Sequence, residues 1–179
     1  MPVKNLQEEF MKLSIDEGIA IVKKQEELIQ FSHFNRKDVW DLGTFFVEEI
    51  FAKNYTLAFS IRMFSGLIAF QYFTEGTNLN NNHWMTRKFN LVQNKEASSL
   101  LTKLVWEKNN EPLEAQGMES TEYVTCGGGF PITIRGTGPV AVALVSGLPH
   151  LQDHDILVDG LSRFLGIADV PRIPLDAGL

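Results

Sequence analysis

The hydrophobic period of this chain changes at Tyr55, and that change sets what the chain can fold into. Before it, apolar residues recur at helical spacing. Ser14-Ile15-Asp16-Glu17 has the spacing of a capping box, in which a hydroxyl and a carboxylate three residues apart exchange hydrogen bonds with each other's backbone amides. Ile15, Ile19, Val22 and Ile29 then mark one face of a first helix. Asn35 caps a second helix carrying Val39, Leu42, Phe46, Val47, Ile50 and Phe51, and Asn54 stops it. From Tyr55 the period is two. Tyr55, Leu57, Phe59, Ile61 and Met63 alternate with Thr56, Ala58, Ser60 and Arg62, the pattern of a half-buried strand. Ser65-Gly66 turns the chain, and "LIAFQYF" returns as the antiparallel partner.

Beyond the hairpin, "TEGTNLNNN" reads as a polar loop, with a helix starting near His83 and a second segment around Leu100 to Leu104, the bend falling near Asn94. A polar connection follows from Glu107. Three strands are expected near Glu122–Thr125, Phe130–Ile134 and Val140–Ser146, then a final helix marked by Leu157, Leu161, Phe164 and Leu165. Pro171 and Pro174 keep the tail extended. The order α-α-β-β-α-β-β-β-α predicts an α+β fold, an antiparallel sheet with helices on at least one face. One domain is expected over 1–179, with an N-terminal helical segment at 1–54, sheet and helices at 55–167 and an extended tail at 168–179.

The net charge of −6 argues against nucleic acid and anionic membranes, which call for a basic face. The start is polar and acidic, unlike a signal peptide, and no apolar run approaches a membrane span, so a cytoplasmic location is expected.

Three stretches carry candidate chemistry. "TCGGGFPITI" sets the sole cysteine, Cys126, before Gly127, Gly128 and Gly129. No Gly-Lys-Ser/Thr follows, and a strand rather than a helix comes next, so neither a P-loop nor a dinucleotide fingerprint fits. The glycines then serve a turn, or backbone that approaches a ligand closely. Cys126 is either a small buried hydrophobe, a soft metal or haem ligand, or a nucleophile lacking an identified base. "HLQDHD" brings His150, Asp153, His154 and Asp155 to the start of the last helix; it is read as acidic capping, with Pro149 leaving His150 outside the helix, or as two imidazoles and a carboxylate for a metal. In "HWMTRKFN", Arg87 and Lys88 point about 100° apart, so at most one faces a given site; either both are solvated or Arg87 holds a carboxylate. No complete catalytic constellation is present in the sequence.

Taken together, "NHWMTRKFNLV" at 82–92, "GGGFPITI" at 127–134 and "VALVSGLPHLQDHDILVDGLSRFL" at 142–165 resemble the haem-degrading-domain (GlcG/HbpS-like) family, in its branch of small uncharacterised cytosolic proteins. The resemblance implies a profilin-like (PAS-like) fold with an antiparallel five-stranded sheet flanked by helices. It implies homo-dimers that build larger oligomers. It places the family's glycine-proline feature on Gly128, Gly129 and Pro131, its Ser-Gly pair on Ser146 and Gly147, its acid on Asp153 and its basic helix position on Arg87 or Lys88. The expectation is therefore a non-enzymatic protein that binds a small anionic ligand, haem included, through Arg87, Gly128, Gly129, Pro131, Gly147 and Asp153, with His154 and Cys126 as metal ligands. The rival expectation is a homo-oligomeric scaffold or adaptor, with a protein partner, accessory to protein targeting or assembly. An enzyme built on Cys126 ranks last.

Overall fold

The computed structural model describes residues 13–179. Helices α1 (Ile15–Leu28) and α2 (Arg36–Ala52) lead into strands β1 (Ala58–Met63) and β2 (Ile68–Phe73). Helices α3 (Leu79–Lys95) and α4 (Ser99–Asn109) follow, then a 3-10 turn over Leu113–Gln116, strands β3 (Gly129–Ile134) and β4 (Gly138–Ser146), and helix α5 (His150–Leu165). The sheet is antiparallel throughout, in the order β2-β1-β4-β3.

The capping box expected at Ser14 forms, and the expected cap at Asn35 proves to be a second box. Ser14 and Glu17 exchange bonds at the start of α1, as do Asn35 and Asp38 at the start of α2. The sheet has four strands rather than five. Glu122–Thr125 is not a strand, because the chain there turns on itself: the Glu122 and Tyr123 amides both donate to the Glu119 carbonyl. The α3 start is also earlier than expected. Asn78 caps it, so the asparagines of the supposed loop form its first turn. Glu96, in the left-handed conformation at φ 53°, separates α3 from α4.

β1 alternates as expected but is buried on both faces. Phe59 and Ile61 join Phe130, Ile132, Ala143 and Val145 on one side, against Leu42, Phe46 and Ile50 of α2 and Leu157, Val158 and Leu161 of α5. The Phe46 and Phe59 rings stack at 4.4 Å. Gly160 lets the Phe46 ring lie against α5, where any Cβ would collide with it. Burying each such side chain contributes about 1.5–3 kcal/mol. On the other side, Ala58, Val142 and Leu144 meet Met85, Phe89 and Val92 of α3. That side also buries charge. Arg62, only 4% exposed, donates to Thr86 Oγ1 at 2.9 Å and to Asn82 Oδ1 at 3.0 Å, with its guanidinium 5.9 Å from the Phe89 ring centre.

α1 rotates relative to its expected face. Gly18, Val22 and Gln25 are buried, while Ile15 and Ile19 are half-buried. Gln25 is tolerated inside because its amide is satisfied twice: Nε2 donates to the Pro171 carbonyl at 2.8 Å, and Oε1 meets His154 Nε2 at 2.8 Å. Ile173 and Ala177 of the tail pack with α1 and α4.

Candidate functional site

α3 and α5 come together past the end of β4, and a buried ion pair joins them. Lys88 Nζ donates to Asp153 Oδ2 at 2.9 Å and to the Val145 carbonyl at 2.8 Å. The two side chains are 2% and 3% exposed. Asp153 Oδ1 also accepts the Leu148 amide at 3.0 Å, ahead of the helix. Burial pushes the Asp153 carboxyl above its ordinary value, opposed by Lys88 and the two backbone amides of Gly147 and Leu148.

Two glycines make room for this pair. Gly128 has φ 112°, and a Cβ there would lie 2.5 Å from Lys88 Nζ and 2.7 Å from the Val145 carbonyl oxygen. At Gly147 a Cβ would lie 2.7 Å from the Thr56 carbonyl oxygen and 2.8 Å from Leu57 Cα. The positions are glycine because backbone and a lysine head occupy the space a side chain needs.

Lys88 and Asp153 form the floor of a cavity of about 420 Å³. Asn80, Asn81 and Trp84 of α3 wall one side; Cys126, the Ser146–Leu148 turn and His150 wall the other. Two of the three Lys88 ammonium hydrogens have the acceptors named above, which leaves one for the cavity. Burial pulls the His150 imidazole below its ordinary value, aided by Lys103 and Lys88, and so favours the neutral ring. Burial pushes the Cys126 thiol up, although Lys88 pulls the other way. A protonated thiol is a poor nucleophile and a poor ligand, which disfavours the readings of Cys126 that need thiolate.

The sequence-predicted residues divide. Gly147, Asp153 and Cys126 line the cavity, and Gly128 supports its floor. Gly129 does not offer its amide to a ligand, since it donates to Ser99 Oγ at 3.0 Å. Pro131 pairs with Val142 inside β3, an edge strand where a missing N–H is tolerated. Arg87 faces elsewhere: its guanidinium lies 4.6 Å from the Trp84 ring centre and borders a different cavity. His154 is 2% exposed and turned to Gln25, with burial and then His150 pulling its imidazole down to about 3. Among the described residues no group of three or more His, Cys, Asp or Glu side chains is placed to hold a metal. His150 is not outside the final helix; it opens α5, with Pro149 as the cap. Asp153 caps no helix-interior amide in the expected manner but accepts from Leu148 and pairs with Lys88.

Of the two candidates for the basic helix position, the sequence reading gave the ligand to Arg87, and the structure places Lys88 at the cavity instead. The signal for Lys88 was present. Met85, Lys88, Phe89 and Val92 follow helical spacing on one face, and a lysine within such a face is buried with it.

A four-stranded antiparallel sheet with helices on both faces, closing on a buried Lys–Asp pair beside a small cavity, defines an α+β domain. The chain belongs to the family described as "Haem degrading protein HbpS-like", which matches residues 34–162. Relatives include a UPF0303 protein of Yersinia enterocolitica, 31% identical over 87% of this chain and 92% of its own, and one of Zymomonas mobilis, 33% identical over 88% and 85%. Among solved structures, the Ybr137w protein superposes with a TM-score of 0.76 at 26% identity, covering 87% of this chain and 89% of that one. A PduOC:heme complex superposes at 0.60 and 17% identity, covering 72% and 93%, a likeness of fold alone.

Proposed function

We propose that this chain is a non-enzymatic small-ligand-binding protein whose ligand sits over the Lys88–Asp153 pair. One observation carries the reading: a fully buried ion pair forms the floor of a cavity. Such a pair rarely adds stability over an apolar substitute, and groups of this kind concentrate at functional sites. The remaining Lys88 hydrogen binds a carboxylate or carbonyl oxygen of the ligand. Asn80 and Asn81 supply polar contacts and Trp84 an apolar wall. Gly128 and Gly147 keep the backbone clear of the lysine head, and Asp153 holds that head in place.

The lining suits a compact polar ligand better than a porphyrin. A haem needs apolar walls and an axial donor. The cavity has His150 and Cys126 as donors, but Trp84 and Leu148 are its main apolar side chains, and its volume is near the low end of the roughly 300–1,000 Å³ usual for ligand pockets. His154 is committed to Gln25. Titration with hemin is expected to give no stoichiometric Soret shift. A shift at one equivalent that disappears in His150→Ala would replace this reading with haem binding. Native mass spectrometry of protein taken directly from cells tests the main proposal: wild type retains a small molecule that Lys88→Met/Asp153→Asn does not.

A second reading, the homo-oligomeric scaffold, is supported by the outer edge of the sheet. β2 pairs only with β1, and Leu67 and Ile68 at its start are about half exposed. Beside it Trp40 and Phe51 of α2 are 61% and 64% exposed, lying against Phe70 and Tyr72. An open strand edge bordered by aromatics favours pairing with another copy. Light scattering tests it: association that Ile68→Lys abolishes supports this reading, and a monomer at micromolar concentration removes it.

A further inference from the structure

Asn80 borders a second cavity, of about 850 Å³, between α3 and the segment Ser120–Tyr123. Its wall contains an arginine with no acceptor for its Nε among the described residues. Arg87 Nε is buried and has no hydrogen-bond partner. A buried donor left unpaired is costly, and more so on a charged group. Arg87 is also absent from every ion pair among the described residues. Its position is nonetheless set, because the guanidinium stacks on Trp84 at 4.6 Å.

The surroundings add to the positive field. Thr86 lines the cavity and accepts from Arg62 on its far side, so a second guanidinium stands directly behind the wall. Arg62, too, has no carboxylate partner among the described residues; its hydrogen-bond acceptors are Ser60, Thr86 and Asn82. Two cations with no carboxylate partner among the described residues thus stand one at the wall and one behind it, in a chain of net charge −6. The opposite wall has the hydroxyl-bearing residues Ser120, Thr121 and Tyr123. Asn90 fixes that wall by donating to the Glu122 carbonyl at 2.8 Å. Glu122 is the acid of the lining, and the residue is exposed.

We infer that this cavity is a second binding site, distinct from the Lys88 cavity, for the oxyanion group of a small metabolite, with Arg87 as its anchor. A phosphoryl or carboxylate group accepts from the two terminal nitrogens together, a planar fork geometry that arginine matches and lysine does not. The oxyanion supplies the counter-charge that the fold withholds from Arg87 and Arg62, and the hydroxyls of the far wall donate to its remaining oxygens.

Isothermal titration of the full chain with pyrophosphate and, separately, with citrate tests the site and distinguishes the two anion sources. Saturable binding of either is expected, and the tighter arm identifies the group. Arg87→Met should weaken it at least about tenfold, the loss expected for a charge-assisted hydrogen-bond pair. Arg87→Lys, which keeps charge but loses the fork, should fall between. Lys88→Met/Asp153→Asn should bind the probe as wild type does, so failure of the first site leaves this result unchanged. No saturable binding of either probe at millimolar concentration overturns the inference. So does equal binding by a folded Arg87→Met, or binding that Lys88→Met/Asp153→Asn abolishes.

Discussion

The two faces of the sheet are built on opposite terms. The face toward α2 and α5 is closed with aliphatic and aromatic side chains such as Phe46, Phe59 and Leu161. The face toward α3 shares its apolar residues with Arg62 and Lys88, both nearly inaccessible, and opens at its end on the Lys88–Asp153 cavity. An apolar face needs only volume and shape. A face that buries charge must supply acceptors, and it does so through the Val145 carbonyl, an acid from another helix and the side chains of Ser60, Thr86 and Asn82, with Gly128 leaving room for the lysine head. On the proposed function, the difference separates the part of the molecule that stabilises it from the part that binds.

Substitutions on the two faces should therefore fail in different ways. Lys88→Met strands Asp153 in the interior and should cost about 3–5 kcal/mol in urea unfolding, the penalty for breaking a buried pair. Adding Asp153→Asn should restore most of that stability, because the amide oxygen still accepts the Leu148 amide. Recovery of this kind has no counterpart on the apolar face, where no partner is left charged.

Gly128→Ala should be next, at about 2–4 kcal/mol, combining strain at φ 112° with a clash against the Val145 carbonyl. It should also displace Lys88 and impair ligand retention. Gly160→Ala, its counterpart on the closed face, presses on the Phe46 ring and should cost about 1–3 kcal/mol while leaving ligand retention intact. Equal loss of ligand in both would erase the distinction between the faces.

His154 has no effect at neutral pH and appears only as a pH slope. Its folded value is about 3 against an ordinary 6.5, so between those values the unfolded chain binds a proton that the folded chain refuses. Stability should then fall on acidification from about pH 6.5 toward 3, by on the order of 1 kcal/mol per pH unit, and level off below. His154→Gln should flatten that limb of a chemical-denaturation series recorded against pH.

Local signals were legible in the sequence where one residue decides the geometry. The capping box at Ser14, the cap at Asn35, the β1–β2 hairpin and the glycine turn before β3 all depend on neighbours in the chain. The site was legible in part, because Gly128, Gly147 and Asp153 carry a pattern. Lys88 was lost because burial of a lysine depends on an acid 65 residues away, and the usual exposure of lysine argues against it. Arg87 was drawn into the same site because an arginine is the commoner carboxylate holder, although the spacing of Met85, Phe89 and Val92 puts Lys88 rather than Arg87 on the buried face. The fifth strand failed for a similar reason: Glu122–Thr125 has strand-like residues, but its amides are taken by a turn at Glu119.

The central claim is that the Lys88–Asp153 pair serves ligand binding rather than stability. Measuring unfolding free energy and retained small-molecule mass on the same preparation of Lys88→Met/Asp153→Asn tests it directly. The account predicts stability within about 1 kcal/mol of wild type, as expected when a buried pair is replaced whole, together with loss of the retained mass. A variant that keeps the ligand while losing several kcal/mol of stability would contradict it.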